Sequence, residues 1–358
     1  MTPPSGPINF NAMDDDSFQQ WMLRGVSRTF ALTIPQLPAA LHPVVANAYL
    51  LCRIADTIED DPALDAAATQ RFSEQWAREL ERDGDGVEFA RALRPCLSDA
   101  VRAEEQALAA QIPRVLAITQ GFAPGQRQAL VRCAVTMTRG MARFQRGAGR
   151  DGLRDVREHD AYCYFVAGVV GECLTTLFAD YSADIARHRP RLMALSLSFG
   201  QGLQMTNILK DLWDDWERGA CWLPRSVFAA RGFDLRGLAA ARSDPAFQRG
   251  MGDLIALARG HLERALEYTL LIPARERGIR NFCLWAIGMA LLTLRKLNAR
   301  RDFGSGKEVK ISRWAVRGTI LASRLTASSD PSLRWLFRCL AAPLPMPPAP
   351  IPADWYQA

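Results

Sequence analysis

Asp56, Glu59 and Asp60 stand at i, i+3 and i+4 within the stretch 47–61. On an α-helix these positions share one face. Three carboxylates on one turn repel each other unless a cation sits among them. Arg53, one turn earlier on the same face, answers only part of that charge. The pattern recurs at Asn207, Asp211, Asp214 and Asp215, with Lys210 alongside. Both faces are set into apolar helical sequence. Oxygen-only donor sets of this kind suit Mg2+, which is commonly held by one or two carboxylates together with water and substrate phosphate. Two such faces brought together across a helical cavity would hold Mg2+ against a diphosphate and turn it into a good leaving group. One acidic face alone is ordinarily a solvated surface. Two, each embedded in apolar helix and one preceded by Asn, weigh against that reading.

If the diphosphate is allylic, its departure leaves a carbocation. That ion needs an apolar, aromatic, water-poor pocket. Phe30, Tyr49, Tyr162, Phe165, Phe199 and Phe282 are the candidates to line it. Arg28, in Ser27-Arg-Thr-Phe30, and Arg53 and Lys210, beside the acidic faces, could contact phosphate oxygens. Lys307, Lys310 and Arg313 lie in or next to a Gly-containing loop, which suits an anion clamp. Ordinary salt bridges and a solvated loop remain the plainer alternatives.

The elements that must position these residues are nearly all helical. Helical periodicity begins near Asp14. A long helix is expected from about 41 to 60, stopped by Pro62. Further helices fit 63–82, 87–111, 113–121, 125–146, 157–183, 190–217, 244–272, 275–300, 312–326 and 331–341. Gly168 and Gly171 permit close approach of a neighbouring backbone or ligand. Residues 301–310 read as a mobile loop. β-branched alternating runs are almost absent, and no repeat or linker stands out. The expectation is one all-α domain over 14–342, with a loose N-terminus (1–13), a Pro-rich tail (343–358) and helices around a central cavity.

With 358 residues, 49% of them hydrophobic, the chain can bury a sizeable core. The net charge of +6 and a pI near 9.0 are compatible with anionic partners, but no basic run or basic–aromatic ladder supports nucleic-acid binding. The eight cysteines form no CxxC pair and read as reduced, mostly buried residues; the four histidines lack metal-ligand spacing. No signal peptide and no apolar stretch long enough for a transmembrane helix is expected; a cytoplasmic location, in keeping with the reduced cysteines, and a monomer are further expectations. Residues 332–342 mix Arg and apolar positions in a way that suits either packing on the core, which is preferred, or a peripheral membrane contact.

Ser27–Phe30, Arg53–Asp61, Tyr162–Gly171 and Gln204–Asp215, in that order, resemble the squalene/phytoene synthase family over about residues 24 to 325. Asn281-Phe-Cys283 and Val309-Lys-Ile311 resemble its squalene synthase branch. The resemblance implies the all-α isoprenoid-synthase fold, Mg2+, NADPH and head-to-head joining of two farnesyl diphosphates. It implies metal binding by Asp56, Glu59, Asp60, Asp211 and Asp215. Arg28 and Arg53 match basic positions near diphosphate or nucleotide, Asn207 and Lys210 lie in the second motif, and Tyr162 matches a tyrosine near the proton-loss step. Phe282 matches an aromatic position of the second half-reaction, and Lys310 a nucleotide-associated lysine. Lys210 stands where arginine is frequent, and Asp214 where Glu is frequent. Ser312 replaces a frequent basic residue, with Arg313 shifted by one.

Alternatives within the family are enzymes that end at presqualene diphosphate, hydroxysqualene, or dehydrosqualene and phytoene. A non-catalytic scaffold member is disfavoured because both acidic motifs are intact.

Overall fold

The computed structural model describes residues 9–27, 29–145, 147 and 149–347. Among them every regular element is helical, apart from an isolated parallel bridge between Leu153 and Pro224. The chain divides into two compact units, Met1–Thr138 and Arg139–Ala358.

In the first unit, α1 (Asp15–Val26), α2 (His42–Asp60), α3 (Ala66–Glu81), α4 (Ala103–Ala110) and α5 (Ile112–Gln120) pack together. Asp14 caps α1 by accepting a hydrogen bond from the Ser17 amide, and Pro43 opens α2 in its first turn. Asn47 is buried on α2 and has no water to turn to. It accepts from Gln19 of α1 and donates to Thr119 Oγ1 (2.7 Å) and to the Val115 carbonyl of α5. This amide fixes the rotation of α2, turning Ile54, Ala55 and Ile58 inward and the acidic face outward.

The expected continuous helix over 87–111 is broken. Pro95 falls in a short 3-10 turn, Arg94–Cys96, and the helix resumes only at Ala103, because proline cannot donate to the helical ladder. Residues 9–13, read as loose, are held: Phe10 packs edge-on against Phe18 and Trp21, and its carbonyl accepts from Arg114 Nη1 (2.5 Å). Residues 1–8 of the expected loose N-terminus lie outside the described residues.

α6 (Pro124–Gln145) carries the chain into the second unit. There follow α7 (Val156–Cys163), a π-helical turn (Tyr164–Gly168), α8 (Val169–Tyr181), α9 (Arg189–Glu217), α10 (Pro245–Leu271), α11 (Arg277–Ala299), α12 (Arg313–Thr326) and α13 (Asp330–Ala341). α9 is the centre of this unit, packed by α8, α10 and α11. The π-turn is where the long helix expected at 157–183 departs from regular winding. A Cβ on Gly200 would sit 2.3 Å from the Ala167 carbonyl oxygen, and one on Gly171 2.3 Å from that of Ser196. Glycine at these positions lets the α9 backbone reach the π-turn and α8.

Two segments, Val156–Tyr181 and Arg277–Ala299, are long and apolar enough to cross a membrane by length and composition, although none was expected from the sequence. Their apolar windows are 44% and 61% buried in this fold, and buried core helices meet the same criterion. The start of the expected Pro-rich tail is also anchored: the Leu344 carbonyl accepts from Arg259 and the Pro343 carbonyl from Asn298. The rest of that tail, 348–358, lies outside the described residues.

Candidate functional site

The first acidic face forms at the C-terminal end of α2. Arg53, Asp56 and Glu59 are partly buried and Asp60 is exposed. Arg53 Nη1 lies 3.4 Å from Asp56 Oδ2, while Nη2 is bonded to Glu105 of α4, which also accepts from Arg102 Nη2 at 2.5 Å. Burial pushes the Asp56 carboxyl up to about 7; Arg53 pulls it down, and Asp60 beside it pushes it up again. Burial is the main cause and the Asp60 charge a smaller one, and a divalent cation at this carboxylate would offset both. Asp61, the last acid of the run, does something else. Its carboxylate accepts from the Ala63 and Ser98 amides and closes the turn after the helix.

In the same unit Phe30 and Tyr49 pack with ring centroids 5.0 Å apart, and the Tyr49 hydroxyl donates to the Val26 carbonyl. Ser27 Oγ accepts from the Phe30 amide, shaping the turn that follows α1. Arg28, the substrate and nucleotide candidate in that turn, lies outside the described residues.

The second acidic face occupies the last two turns of α9. Asn207 and Asp214 are exposed, Asp211 is partly buried and Asp215 is buried. Lys210 Nζ reaches Asp211 Oδ2 (3.0 Å) and Asn207 Oδ1 (3.4 Å), and Arg218 Nη2 donates to Asp215 Oδ1 (2.5 Å). The loop 301–310 rests on this face. A Cβ on Gly306 would lie 3.0 Å from the Lys210 carbonyl oxygen and 3.2 Å from Asp211 Oδ1.

That loop was expected to be mobile, yet it is anchored. Phe303 and Val309 are buried, and Glu308 bonds the Gly304 amide and Arg300. Lys307 and Lys310 remain exposed on it, and the Lys310 carbonyl accepts from Lys296 Nζ (2.6 Å). Ser312 is the N-cap of α12, its hydroxyl accepting from the Ala315 amide, and Arg313 is exposed beside it.

Tyr162 ends α7 and is buried. Its ring stacks on Trp222 (centroids 4.1 Å apart, planes within 8°) and meets Phe144 edge-on. Gly219, at φ +91°, turns the chain back after α9, and the Leu153–Pro224 bridge fixes the strand-like segment that carries Trp222. Phe165 packs against Phe144, Phe199 against Tyr268, and Phe282 edge-on against Phe178. These contacts make three sets of paired aromatic rings within the second unit. Glu105, Trp222 and Tyr268 were not found by reading the sequence. Each lies outside the periodic motifs, and no local pattern singles it out.

The donor sets fit Mg2+ in one particular way. Among the described residues no group of three or more His, Cys, Asp or Glu is arranged to hold a metal ion by itself. Hard carboxylate oxygens in numbers too small to enclose an ion match Mg2+, which keeps waters and takes substrate phosphate as further ligands.

The squalene/phytoene synthase family profile matches residues 23–315. A squalene synthase of Eremothecium gossypii is 27% identical over 312 residues, covering 85% of this chain and 66% of that protein. Among solved structures, TcSQS in complex with a ligand, E5700, matches with a TM-score of 0.73 at 22% identity, covering 96% of this chain and 95% of that one. A dehydrosqualene synthase in complex with ligand matches with a TM-score of 0.63 at 19% identity, covering 88% and 97%. These structural likenesses establish the all-α isoprenoid-synthase fold. The chain spans about half to two thirds of the length of the curated relatives it matches.

Proposed function

The chain belongs to the squalene/phytoene synthase family, and on that premise we propose that it is a prenyltransferase that makes squalene from two farnesyl diphosphates. In the first half-reaction the C1–oxygen bond of one farnesyl diphosphate breaks and diphosphate departs. The allylic C1 cation is attacked by the 2,3-double bond of the other molecule. Loss of a proton closes the cyclopropane of presqualene diphosphate. In the second, diphosphate departs again, and the rearranged cation takes a hydride from NADPH to give squalene and NADP+.

Mg2+ would be held by Asp56, Glu59 and Asp60 and by Asp211 and Asp215, and it supplies Lewis-acid stabilisation of the departing diphosphate. Arg28, Arg53, Asn207 and Lys210 bind substrate oxygens. Tyr162 acts at the proton-loss step, its ring held by Trp222 and its hydroxyl in a water-poor setting. Phe282 shields the second cation with its π-face. Lys310, Ser312 and Arg313, with Arg28, Arg53 and Lys210, contact the nucleotide.

The observation that carries the reductive reading is the loop 301–310. It brings a lysine-bearing segment onto the second acidic face, with Gly306 against Lys210 and Asp211. An anion clamp beside a diphosphate-binding face is what a nucleotide-dependent second half-reaction calls for. The test is to incubate the purified full chain with farnesyl diphosphate and Mg2+, with and without NADPH, and identify the products. Squalene with NADPH and presqualene diphosphate without it is the expected result. The same product under both conditions would refute the reductive step and leave a dehydrosqualene, phytoene, hydroxysqualene or presqualene diphosphate synthase. Tyr162→Phe, which keeps the ring stack, should lose most cyclopropane formation while melting normally.

A further inference from the structure

Helices α12 and α13 each pack one face on α11 and leave the other in solvent. The outward arc of α12 carries two stripes at helical spacing. Arg313, Arg317 and Arg324 follow one, and Trp314, Leu321 and Leu325 the other. Trp314 and Leu325 are each 77% exposed and Leu321 60%. α13 repeats the arrangement, with Arg334 and Arg338 exposed beside Trp335, itself 61% exposed. Of the eight large apolar side chains most exposed among the described residues, five lie between 314 and 346. Over 313–346 there are five arginines and one acid, Asp330, and that acid already bonds Arg280 (2.7 Å). The rest of the fold hides its tryptophans or keeps them largely covered, so this concentration is not the ordinary scatter of surface apolar residues.

We propose that the outward face of α12 and α13 docks on the surface of an anionic lipid bilayer. Trp314, Leu321, Leu325 and Trp335 enter the boundary between headgroups and acyl chains, and the flanking arginines meet the lipid phosphates. The chemistry selects this occupant over others. Apolar side chains edged by arginine are the pattern of helices lying in a membrane interface, and a surface with five arginines to one acid complements an anionic sheet. A second copy of the chain docked here by two-fold symmetry would bring arginine against arginine. Residues 348–358 carry a single acid, Asp354, too little to answer five arginines. Apart from Arg313, which the proposed reaction also uses and which no test variant alters, the surface shares no residue or step with that reaction, so this inference and that reading stand or fall separately.

The experiment is co-sedimentation of the full chain with vesicles of phosphatidylcholine alone and of phosphatidylcholine mixed with phosphatidylglycerol. The unaltered chain is expected to bind the mixed vesicles more strongly, and less so as salt rises. Trp314→Ser with Leu325→Ser should weaken that binding at least about tenfold. Arg317→Gln with Arg338→Gln should remove the preference for the anionic vesicles. All four side chains are exposed, and unchanged thermal melts of the variants establish that they fold. Absence of binding by the unaltered chain, or equal binding by Trp314→Ser/Leu325→Ser, overturns the proposal. Self-association in sedimentation velocity that the same double variant abolishes also overturns it, by assigning the face to contacts between copies.

Discussion

Glu105→Gln tests whether the first acidic face is set by a residue outside its own helix. Glu105 is 7% exposed on α4 and accepts hydrogen bonds from Arg53 and from Arg102 Nη2. Burial pushes its carboxyl up, but the bonds from Arg102 and Arg53 outweigh burial and hold it below the ordinary carboxylate range. Glutamine keeps the shape and removes the charge. Breaking a buried ion pair by deleting one partner costs about 3–5 kcal/mol. Here the arginine side chains are 22% and 49% exposed, so water screens part of the loss. A cost of about 2 kcal/mol follows, or a fall in Tm of roughly 3 °C for a chain of this size.

The functional consequence has a definite sign. In the native arrangement Arg53 divides its fork between Glu105 and Asp56, with the Asp56 contact the longer one at 3.4 Å. Without Glu105, the guanidinium turns to Asp56 and competes with Mg2+ for that carboxylate. If about 1 kcal/mol of the lost pairing is recovered at Asp56, half-saturating Mg2+ rises about fivefold. Calorimetry without Mg2+, followed by a Mg2+ titration of the initial rate, measures both effects. A variant that melts within about 1 °C of the parent and needs no more Mg2+ would refute the reasoning, because Glu105 would then be neither a stabilising partner nor a restraint on Arg53.

Two further outcomes follow from the second unit. Gly171→Ala places a methyl group 2.3 Å from the Ser196 carbonyl oxygen, so α8 and α9 must separate; a loss of about 1–3 kcal/mol in urea unfolding is expected, and an unchanged midpoint would contradict the close crossing. Four shifted groups shape the pH dependence of stability: burial pushes His159 down to about 4 and His261 to about 3, and pushes Asp160 and Asp56 up to about 7. The depressed histidines contribute stability above about pH 6.5 that is lost as pH falls, because the unfolded chain takes up their protons first. The raised Asp160 works oppositely, favouring the fold in acid and losing that contribution as pH rises toward 7. Between about pH 4 and 6.5 Asp160→Asn should steepen the rise of stability with pH by about 1.4 kcal/mol per pH unit relative to the parent, and equal slopes in parent and variant would rule the balance out.

The acidic faces were legible because helical period and residue type agree: α2 and α9 bury the expected apolar positions and turn Arg53 to Asp60 and Asn207 to Asp215 onto single faces. The all-α class was legible for the same reason. What stayed hidden depends on partners distant in the chain. Glu105 bonds a residue 52 positions away, and nothing in its own sequence marks that. Trp222 meets Tyr162 only because Gly219 and the Leu153–Pro224 bridge turn the chain back. The loop 301–310 reads as mobile from its glycines, whereas Phe303, Val309 and Glu308 tie it down. Composition reports the freedom of a segment in isolation, and burial of two side chains in a neighbouring core is enough to remove it.

The shortage of ligands at each acidic face has a consequence for the order of events. A site with three or more protein carboxylates can hold a divalent ion before substrate arrives. Here Asp56, Glu59 and Asp60 share a face without being arranged to hold an ion by themselves, and burial pushes Asp56 up to about 7. On the proposed function, Mg2+ would displace a proton at Asp56 and take phosphate oxygens as further ligands, so ion and diphosphate would each raise the affinity for the other by the same factor. The linkage also runs in reverse. Loss of diphosphate would remove those phosphate ligands, leaving Asp56, Glu59 and Asp60 to hold the ion alone, which would favour release of ion and diphosphate together. A face crowded with acid but short of ligands is thus suited to ionising a substrate and then letting the leaving group go, whereas a closed metal cage would retain it.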